Sequence, residues 1–389
     1  MSNRIAVLSA VRTPFTRASR GELKDTRPDT LGGWAIRAAL ERVPGLRPEE
    51  VGDVVMGCAM PEAEQGMNVA RQSAFIGGIP DSVPAMTLNR FCASGLQSIV
   101  QVAQAIRVGQ YDVAVAGGTE SMTMVPMGGN KPSANPELME RYPQIYTAMG
   151  ATAENVAARF GVSREDQDAF AYESQRRAAT AREQGRLSEE IFGVSTRVFD
   201  EGGRAHAVAV DKDTILRPET TLEGLSKLKP AFNPQGTVTA GNASPLTDGA
   251  AAAVVMSEER AQKLGAKPLG YWLDFAVAGV PPEIMGTGPV PAVRKLLQRN
   301  GLKVDNIDIF ELNEAFAAQA IYCIRELGLS KDRTNPNGGA VALGHPLGVS
   351  GTRLVATALR ELQRRKGRYA VVTMCIGGGM GAAALFERE

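Results

Sequence analysis

Charge of one sign, histidine, aromatic residues and long apolar runs are all scarce in this sequence of 389 residues. Lysine and arginine total 43 against 42 aspartate and glutamate residues, and the net charge of +1 gives no field that would attract nucleic acid or an anionic membrane surface. No apolar run approaches the roughly 20 residues that span a bilayer. We therefore expect neither a nucleic-acid-binding protein nor a membrane protein.

Targeting signals are also missing from both ends of the sequence. The first residues pass directly into a strand-like run, without the apolar region and cleavage site of a signal peptide, and the last residues form no address tag. We expect a cytoplasmic location.

Cysteine and histidine number only four and two. The cysteines lie far apart without a CxxC pair, so a disulfide scaffold and a tetrahedral zinc site are both poorly supported. Glycine is abundant by contrast, with 42 residues, about 11% against an average of roughly 7%. This excess predicts places where backbone segments approach each other closely.

The two ends of the chain resemble each other, which indicates an internal duplication. The segment 50–57 is similar to 306–312, and the pair Ser94-Gly95 matches Ser350-Gly351 at nearly the same spacing. In both copies the Ser-Gly pair precedes a helix-like segment and a short Val/Ala run that ends in glycines. Strands and helices that alternate in this way predict an α/β fold with mostly parallel sheets.

The middle of the chain, residues 122–246, has a different character, with scattered prolines and charged, helix-patterned sequence. Ser163 is the predicted N-cap of one helix, because Asp166 follows it at the capping-box distance. The segment 200–203 reads as a turn. An insertion of this length normally carries a function; the alternative is a solvated excursion without a ligand.

Cys92 lies in the motif 89–96, directly before a helix-like segment. The positive end of a helix dipole favours a thiolate, so this placement is typical of a nucleophile. The alternative is a structural thiol, since free cysteine is among the most buried residue types.

His345 lies in a Gly/Pro loop, 339–348, which also precedes a helix. If an approximate two-fold axis relates the two halves, the loops that carry Cys92 and His345 converge at one end of the sheets, and a thiol meets its base. The alternative is a histidine that only caps or turns the loop.

Cys375 lies in 373–381, a segment rich in glycine at the end of the last inferred strand-helix-strand crossover. Glycines permit positive φ and leave N–H groups unobstructed, as an oxyanion hole requires. The spacing from Gly377 to Ala382 approximates a dinucleotide fingerprint, but the few residues after Ala382 cannot supply the helix, strand and acidic residue that such a site needs. We reject the dinucleotide interpretation.

Asn313 follows a strand-like run, 307–311. An amide at a strand end can hold a water or an oxyanion, or it can N-cap the next helix, and the pattern does not separate these roles. Cys58 and Cys323 lack a glycine-rich loop and are predicted to be packed thiols. His206 is predicted to face solvent.

Taken together, these motifs resemble the thiolase family over essentially the full chain. The motifs around Cys92, Asn313, His345 and Cys375 stand in the family's order, beside 239–244 and 285–289. The resemblance implies an α/β thiolase fold, in which two duplicated halves form a five-layer αβαβα arrangement with an inserted loop domain. The expected boundaries are 1–121 for the N-terminal half, completed by about 247–268, then 122–246 for a loop domain that covers CoA, and 269–389 for the C-terminal half.

The resemblance also implies roles for the site residues. Cys92 matches the nucleophile that becomes an acyl thioester, and His345 matches the group that activates it. Cys375 matches a second acid/base, and Asn313 the amide that positions a water at an enolate oxygen. The N–H group of Gly377 matches a donor to the tetrahedral adduct at Cys92.

Coenzyme A enters this expectation as a substrate, with CoA thioesters as partners and no permanently bound cofactor or metal. The positions that match CoA contacts are Met149, Arg217, Phe232, Ala240, Ser244, Leu246, Met285, Ala315 and Phe316. Arg217 would face the nucleotide, and the apolar members would line the pantetheine channel. The family also implies a homodimer or homotetramer, and association with other β-oxidation enzymes is compatible with it.

Ala148 stands where short-chain acetoacetyl-CoA thiolases usually have histidine. The smaller side chain opens volume near the acyl chain and, with the segments 280–285 and 308–313, favours a 3-ketoacyl-CoA thiolase of fatty-acid β-oxidation. The alternative enzyme is an acetyl-CoA C-acetyltransferase that makes acetoacetyl-CoA. A non-catalytic relative that binds acyl-CoA or sterol is the alternative of another class, and the retention of all four reactive groups argues against it.

Overall fold

Strands of both halves join in one large mixed sheet in the computed structural model, which describes residues 4–389. The first three residues of the predicted N-terminal half therefore lie outside the described residues. The strands, in chain order, are β1 (Ile5–Arg12), β2 (Thr16–Arg17), β3 (Val54–Gly57), β4 (Ala85–Leu88), β5 (Val113–Ser121), β6 (Val194–Phe199), β7 (Ala205–Val210), β8 (Thr247–Ser257), β9 (Gly270–Gly279), β10 (Ile309–Leu312), β11 (Tyr369–Ile376) and β12 (Met380–Glu387).

The order of the strands repeats from one half to the other. The first half runs β4-β3-β5-β8-β1 and the second runs β10-β11-β12-β9, with β1 pairing antiparallel to β9 where the halves meet. The registers correspond as well: Val54 of β3 lies opposite Val115 of β5, and Ile309 of β10 lies opposite Ala370 of β11. These matching registers make β3 the counterpart of β10 and β5 the counterpart of β11.

The prediction of mostly parallel sheets is wrong. Only β3 with β4, β3 with β5 and β10 with β11 are parallel among the named strands of the described chain, whereas β8 and β12 run antiparallel to their neighbours. The reason in the second half is local, because β12 follows β11 through the tight turn 377–379 and a hairpin can only be antiparallel.

Helices cover both faces of this sheet. In chain order they are α1 (Pro28–Glu41), α2 (Val69–Ile76), α3 (Ser94–Arg107), α4 (Pro136–Arg141), α5 (Met149–Arg159), α6 (Arg164–Glu183), α7 (Leu222–Ser226), α8 (Glu258–Lys263), α9 (Pro289–Arg299), α10 (Ala317–Leu327), α11 (Ala340–Leu343) and α12 (Ser350–Arg365).

Three apolar cores define five layers. The central core contains residues of α3 and α12 together with strands of both halves. These two helices therefore form the middle layer, and the two halves of the sheet form the β layers on either side of it. One outer core packs α1 and α2 on the first half of the sheet, and the other packs α9 and α10 on the second half. The predicted αβαβα arrangement is confirmed.

The two middle helices approach each other at the Ser-Gly pairs that mark the duplication. A Cβ atom on Gly95 would lie 2.8 Å from the carbonyl oxygen of Gly348, and a Cβ on Gly351 would lie 2.2 Å from the backbone nitrogen of Leu96. Both distances are far below van der Waals contact, so only glycine allows the helix starts to meet. This contact brings the loops that precede α3 and α12 to the same place.

The elements from α4 to α7, with the β6–β7 hairpin, lie between β5 and β8 in the sequence. The predicted N-cap is confirmed, since Ser163 Oγ accepts a hydrogen bond from the backbone N–H of Asp166. A buried ion cluster attaches this insertion to the first half: Arg12 of β1 donates to Glu190 at 2.8 Å and to Asp213 at 2.6 Å. Breaking one partner of such a buried pair would leave an uncompensated charge.

Candidate active site

Cys92 lies in a strained turn, Phe91–Ala93, which directly precedes α3. Phe91 has a φ of 43°, a left-handed conformation that bulky residues rarely adopt. Two side chains hold the turn: Asn89 Oδ1 accepts from the Phe91 N–H at 2.7 Å, and Ser94 Oγ donates to the Phe91 carbonyl at 2.6 Å. The sulfur is therefore presented by a fixed backbone, and the side chain is only 7% exposed.

The resting state of Cys92 is the neutral thiol. Burial raises the pKa of Cys92 to about 11, although the N–H groups of Gly377 and of Cys92 itself favour the thiolate. Desolvation thus outweighs the effect of these two N–H donors on the pKa of Cys92. Cys92 consequently needs a base when it attacks.

Cys375 lies close to Cys92, near the end of strand β11. It is fully buried, and burial raises its pKa well above the usual value. The turn that follows contains Gly378 and Gly379, with φ values of 79° and 84°. These glycines let the backbone reverse so that the Gly377 N–H points to the Cys92 sulfur.

His345 is held as a neutral imidazole, 4% exposed. Burial lowers the pKa of His345 to about 3, and the positive charge of Arg353 adds to this effect. The ring Nδ1 lies 2.5 Å from Ser350 Oγ, which itself donates to the Pro346 carbonyl at 3.0 Å. We assign the ring hydrogen to Nδ1, because Nε2 then accepts from Asn313 Nδ2 and the Ser350 hydroxyl can bond to the Pro346 carbonyl.

Asn313 stands on the other side of the imidazole. Its Nδ2 donates to His345 Nε2 at 3.2 Å, and its backbone N–H donates to the carbonyl of Thr373 in β11 at 2.9 Å. The helix-capping alternative is wrong, since α10 begins at Ala317 with Phe316 as its N-cap residue. Asn313 therefore contributes an amide to the site rather than to a helix end.

The loops of the two halves meet around these groups. Leu347, two residues after His345, packs in the same small apolar cluster as Cys92, Ala59 and Met122. Cys92 is linked to the Gly377 turn, and the strand before that turn is bonded to Asn313. The structure thus brings the predicted catalytic residues to one end of the sheet, and their catalytic roles stay a prediction.

Several predicted CoA positions form one apolar surface beside Cys375. Met149 and the buried side chains of Met285, Ala315 and Phe316 pack in a single cluster with Cys375. Phe232 lies edge-on to Phe316, with ring centroids 5.9 Å apart.

Ser244 lies next to this surface, because both its backbone N–H and its Oγ donate to the Ala315 carbonyl at 3.0 Å. Ala240, Leu246 and Arg217 are exposed and lie outside the apolar cluster. Arg217 is near Arg17, whose pKa is lowered by burial and then by the charge of Arg217.

The remaining cysteines and histidine behave as the sequence suggested. Cys58 and Cys323 are buried, and burial raises the pKa of each thiol. His206 is exposed and pairs with Asp200 in the turn between β6 and β7. Within residues 4–389, no set of three or more His, Cys, Asp or Glu side chains is arranged to hold a metal ion, and no helix there is long and apolar enough to cross a membrane.

Two residues at the site were missed by the sequence reasoning. Ser350 served only as a landmark of the duplication, although it fixes the imidazole of His345. Glu120 is a fully buried carboxylate at the end of β5, bonded to the loop that follows His345. An acidic residue that ends an otherwise apolar strand was the available signal for Glu120.

Comparisons with known proteins agree with this geometry. A model of the N-terminal domain of thiolase matches residues 5–259, and a model of the C-terminal domain of thiolase matches residues 266–388. The chain is 50% identical over 385 residues to the 3-ketoacyl-CoA thiolase of Bacillus subtilis (strain 168), with 98% of both chains covered. It is 48% identical over 386 residues to the human peroxisomal 3-ketoacyl-CoA thiolase, and the match covers 98% of this chain and 90% of that protein.

A solved structure leads to the same family. The crystal structure of the Bacillus anthracis acetyl-CoA acetyltransferase superposes with a TM-score of 0.89 at 37% identity, covering 99% of this chain and 100% of that chain. The duplicated sheet, the motifs and the matching domains leave one assignment: this chain belongs to the thiolase family.

Proposed function

We propose that this thiolase catalyses the CoA-dependent cleavage of 3-ketoacyl-CoA to acetyl-CoA and a shortened acyl-CoA, the thiolytic step of fatty-acid β-oxidation. The observation that supports the proposal is the convergence of the loops: the Gly377 N–H at the end of the Cys375 strand bonds to Cys92, and Asn313 bonds both to that strand and to His345. A reaction with two separate proton transfers at sulfur and carbon needs a second acid/base group besides the base that activates the nucleophile.

In the first step the sulfur of Cys92 attacks the 3-keto carbon, and its proton passes to Nε2 of His345. Burial raises the pKa of the thiol and lowers the pKa of the imidazole, which favours the neutral pair before attack, so the transfer would accompany formation of the carbon–sulfur bond. The N–H groups of Cys92 and Gly377 lie beside the sulfur, where they would donate to the oxyanion of the adduct.

In the second step the oxyanion collapses and the bond between C2 and C3 breaks. The leaving group is the enolate of acetyl-CoA, and the Cys375 thiol would protonate its carbon. The protonated Nε2 of His345 and a water held by Asn313 would donate to the enolate oxygen. The acyl group remains on Cys92 as a thioester.

In the last step the Cys375 thiolate takes the proton of an incoming CoA thiol. The CoA sulfur attacks the acyl carbonyl, and the Cys92 thiolate leaves and recovers its proton from His345. Cys375 ends as a thiol again, so the cycle balances. CoA enters and leaves as a substrate and is not a resident cofactor.

The CoA chain would lie along the apolar surface formed by Met149, Met285, Ala315 and Phe316, which ends at Cys375. Residues 122–246 would act as the loop domain that covers it, Phe232 and Ser244 would flank the pantetheine, and Ala240 and Leu246 would line its outer part. Arg217 is exposed and positively charged, as a contact with the nucleotide phosphates requires. The domain boundaries given by the sequence are part of this proposal.

A second candidate is the acetyl-CoA C-acetyltransferase reaction, since the structurally similar Bacillus anthracis protein is named an acetyl-CoA acetyltransferase. The residue that discriminates the two is Ala148, which precedes α5 and is exposed. A small side chain there leaves room for a longer acyl chain than an imidazole would.

Thiolysis rates of C4 and of C8–C16 3-ketoacyl-CoA test the choice. We expect turnover of the longer substrates, and we expect Ala148→His to lower it more than turnover of the C4 substrate. Activity confined to the C4 substrate would leave the acetyltransferase as the function.

Assembly and location belong to the same proposal. A homodimer or homotetramer is expected, to be measured by light scattering after gel filtration, and association with other β-oxidation enzymes is to be tested with those enzymes. The cytoplasmic location is a prediction from the sequence, whereas mammalian relatives carry names that place them in peroxisomes.

A further inference from the structure

The duplication places Glu120 at the position in the first half that Cys375 occupies in the second. Gly57 of β3 lies opposite Gly118 of β5, and Leu312 of β10 lies opposite Thr373 of β11. Glu120 is two residues after Gly118, and Cys375 is two residues after Thr373. In addition, Glu120 pairs with Gly249 of β8, as Cys375 pairs with Gly381 of β12.

Gly348 is, in the same way, the counterpart of Cys92. Each of them stands two residues before the Ser-Gly pair that begins a central helix, Ser94-Gly95 or Ser350-Gly351. Gly348 N–H donates to Glu120 Oε2 at 2.7 Å. The fold therefore contains a second copy of the site. In this copy the loop before α12 binds the Glu120 carboxylate rather than a substrate.

The Glu120 carboxylate is saturated with donors in this second copy. Oε2 also accepts from the Ala59 N–H at 2.8 Å, while Oε1 accepts from Gln65 Nε2 at 2.8 Å and from the Met60 N–H at 3.2 Å. The side chain is 1% exposed, so these bonds are not shared with bulk solvent. Burial raises the pKa of Glu120, whereas the four N–H donors favour its charged form and tie its loops together.

The segment that Glu120 holds is the one that carries the proposed base. Gly348 lies between His345 and Ser350, whose hydroxyl fixes the imidazole. Contact at Gly348 is tight, since a Cβ there would lie 2.7 Å from Glu120 Oε2 and 2.8 Å from the Cα of Cys58. Glu120 also interacts electrostatically with Cys92, because its negative charge contributes to the raised pKa of the Cys92 thiol.

We propose that Glu120 is a positioning residue that holds the 345–350 loop of the second half against the Cys92 turn of the first half, and so sets the place of His345 for thiolysis. This inference rests on the proposed function for its kinetic readout. Glu120 touches neither reacting atom, and it acts through Gly348.

Two variants of graded severity test the proposal. Glu120→Gln keeps one acceptor oxygen at similar volume, and Glu120→Met removes both acceptors. For 3-ketoacyl-CoA thiolysis we expect kcat per folded active site to fall at least fivefold in Glu120→Gln and further in Glu120→Met, with KM for CoA within twofold of the wild type. Cys58→Ala is the matched control, since it removes a thiol 3.6 Å from Glu120 Oε1 and leaves the bond to Gly348, and its kcat should stay within twofold.

A second readout does not depend on turnover. The chain has only two histidines, so protein labelled with ¹⁵N-histidine gives signals from His345 and, as an internal reference, from the exposed His206. We expect the Nδ1–H form of His345 in the wild type and in Cys58→Ala. In Glu120→Gln the His345 signals should shift or broaden, while those of His206 stay in place.

The outcomes are separable. Folded Glu120 variants with wild-type kcat and unchanged His345 signals would overturn the proposal, as would an equal loss in Cys58→Ala. If Glu120→Met does not fold, Glu120→Gln decides. If the wild-type protein lacks thiolysis, the proposed function fails, and the histidine signals alone then decide the positioning role.

Discussion

Ser350 Oγ lies 2.5 Å from His345 Nδ1 and 3.0 Å from the Pro346 carbonyl oxygen, and with the ring hydrogen assigned to Nδ1 it accepts from the first and donates to the second. The serine stands in the first turn of α12, so the orientation of the imidazole is fixed by the start of a buried helix. With Nδ1 committed as a donor, Nε2 is the ring atom that faces Asn313 and can take a proton.

Replacing Ser350 by alanine should lower kcat by about tenfold to a hundredfold, part of the roughly 10²–10⁴ that general acid–base catalysis contributes. The physical reason is that the alternative tautomer, with the hydrogen on Nε2, becomes accessible and cannot act as the base. Steady-state thiolysis and ¹⁵N-histidine spectra measure the two effects. Ser98→Ala is the control, because Ser98 is a buried helical serine whose hydroxyl bonds to the Gly95 and Gly117 carbonyls.

Replacing Cys92 by alanine should abolish turnover, with a loss of roughly 10⁴-fold or more, as for other enzymes that lose a nucleophile. The reason is that no acyl thioester can form, and mass spectrometry of protein mixed with 3-ketoacyl-CoA should show no added acyl group. Cys323→Ala removes a packed thiol whose Sγ bonds to the Gly286 carbonyl, and it should keep activity within about threefold. A covalent acyl adduct on the Cys92→Ala protein would contradict the assignment of the nucleophile.

Alkylation of Cys92 by iodoacetamide should accelerate as the pH rises, without levelling off near neutrality. Below its pKa a thiol gains about tenfold in thiolate per pH unit, and burial raises the pKa of Cys92 to about 11. Rates measured by peptide mapping between about pH 7 and 9.5 should therefore increase steadily in the absence of substrate. A plateau near pH 8 would show a thiolate in the resting site and would remove the need for His345 as a base.

Replacing Arg217 by glutamine should raise KM for CoA about fivefold and leave kcat unchanged, since an exposed ion pair contributes at most about 1 kcal/mol. Substrates that carry pantetheine without the nucleotide should react equally with both proteins. Arg37→Gln is the matched control, because Arg37 is exposed and bonds to the Ile76 carbonyl. An equal increase in KM with the shortened substrate would place Arg217 elsewhere than at the nucleotide.

The loops of the candidate site could be predicted from the sequence because each one contains a local sequence signal. Cys92, His345 and Cys375 all stand in segments next to a helix or a tight turn, and the repeated Ser-Gly pairs revealed the two-fold relationship that lets such loops meet. The close approach that the glycine content suggested is present at Gly95 and Gly351. The division into two similar halves followed from the same repetition.

The features that could not be predicted from the sequence depend on contacts between the two halves of the fold. Strands β8 and β12 run antiparallel to their neighbours because of the connections that lead into them. An apolar strand pattern does not indicate whether a strand is parallel or antiparallel. Burial raises the pKa of Cys92 and so favours the neutral thiol, and burial is a property of the assembled halves. Glu120 and Ser350 act on a loop rather than on a substrate, so no chemical motif identified them.

The meeting of Gly95 and Gly351 has a consequence for synthesis of the chain. Cys92 emerges from the ribosome well before His345, which lies in the other half of the sequence, and the nucleophile has no base until the second helix docks on the first. A nascent or truncated product that ends before His345 therefore carries the Cys92 thiol without that base. In the proposed mechanism, turnover thus requires both halves of the chain, because the C-terminal half supplies His345 and Cys375.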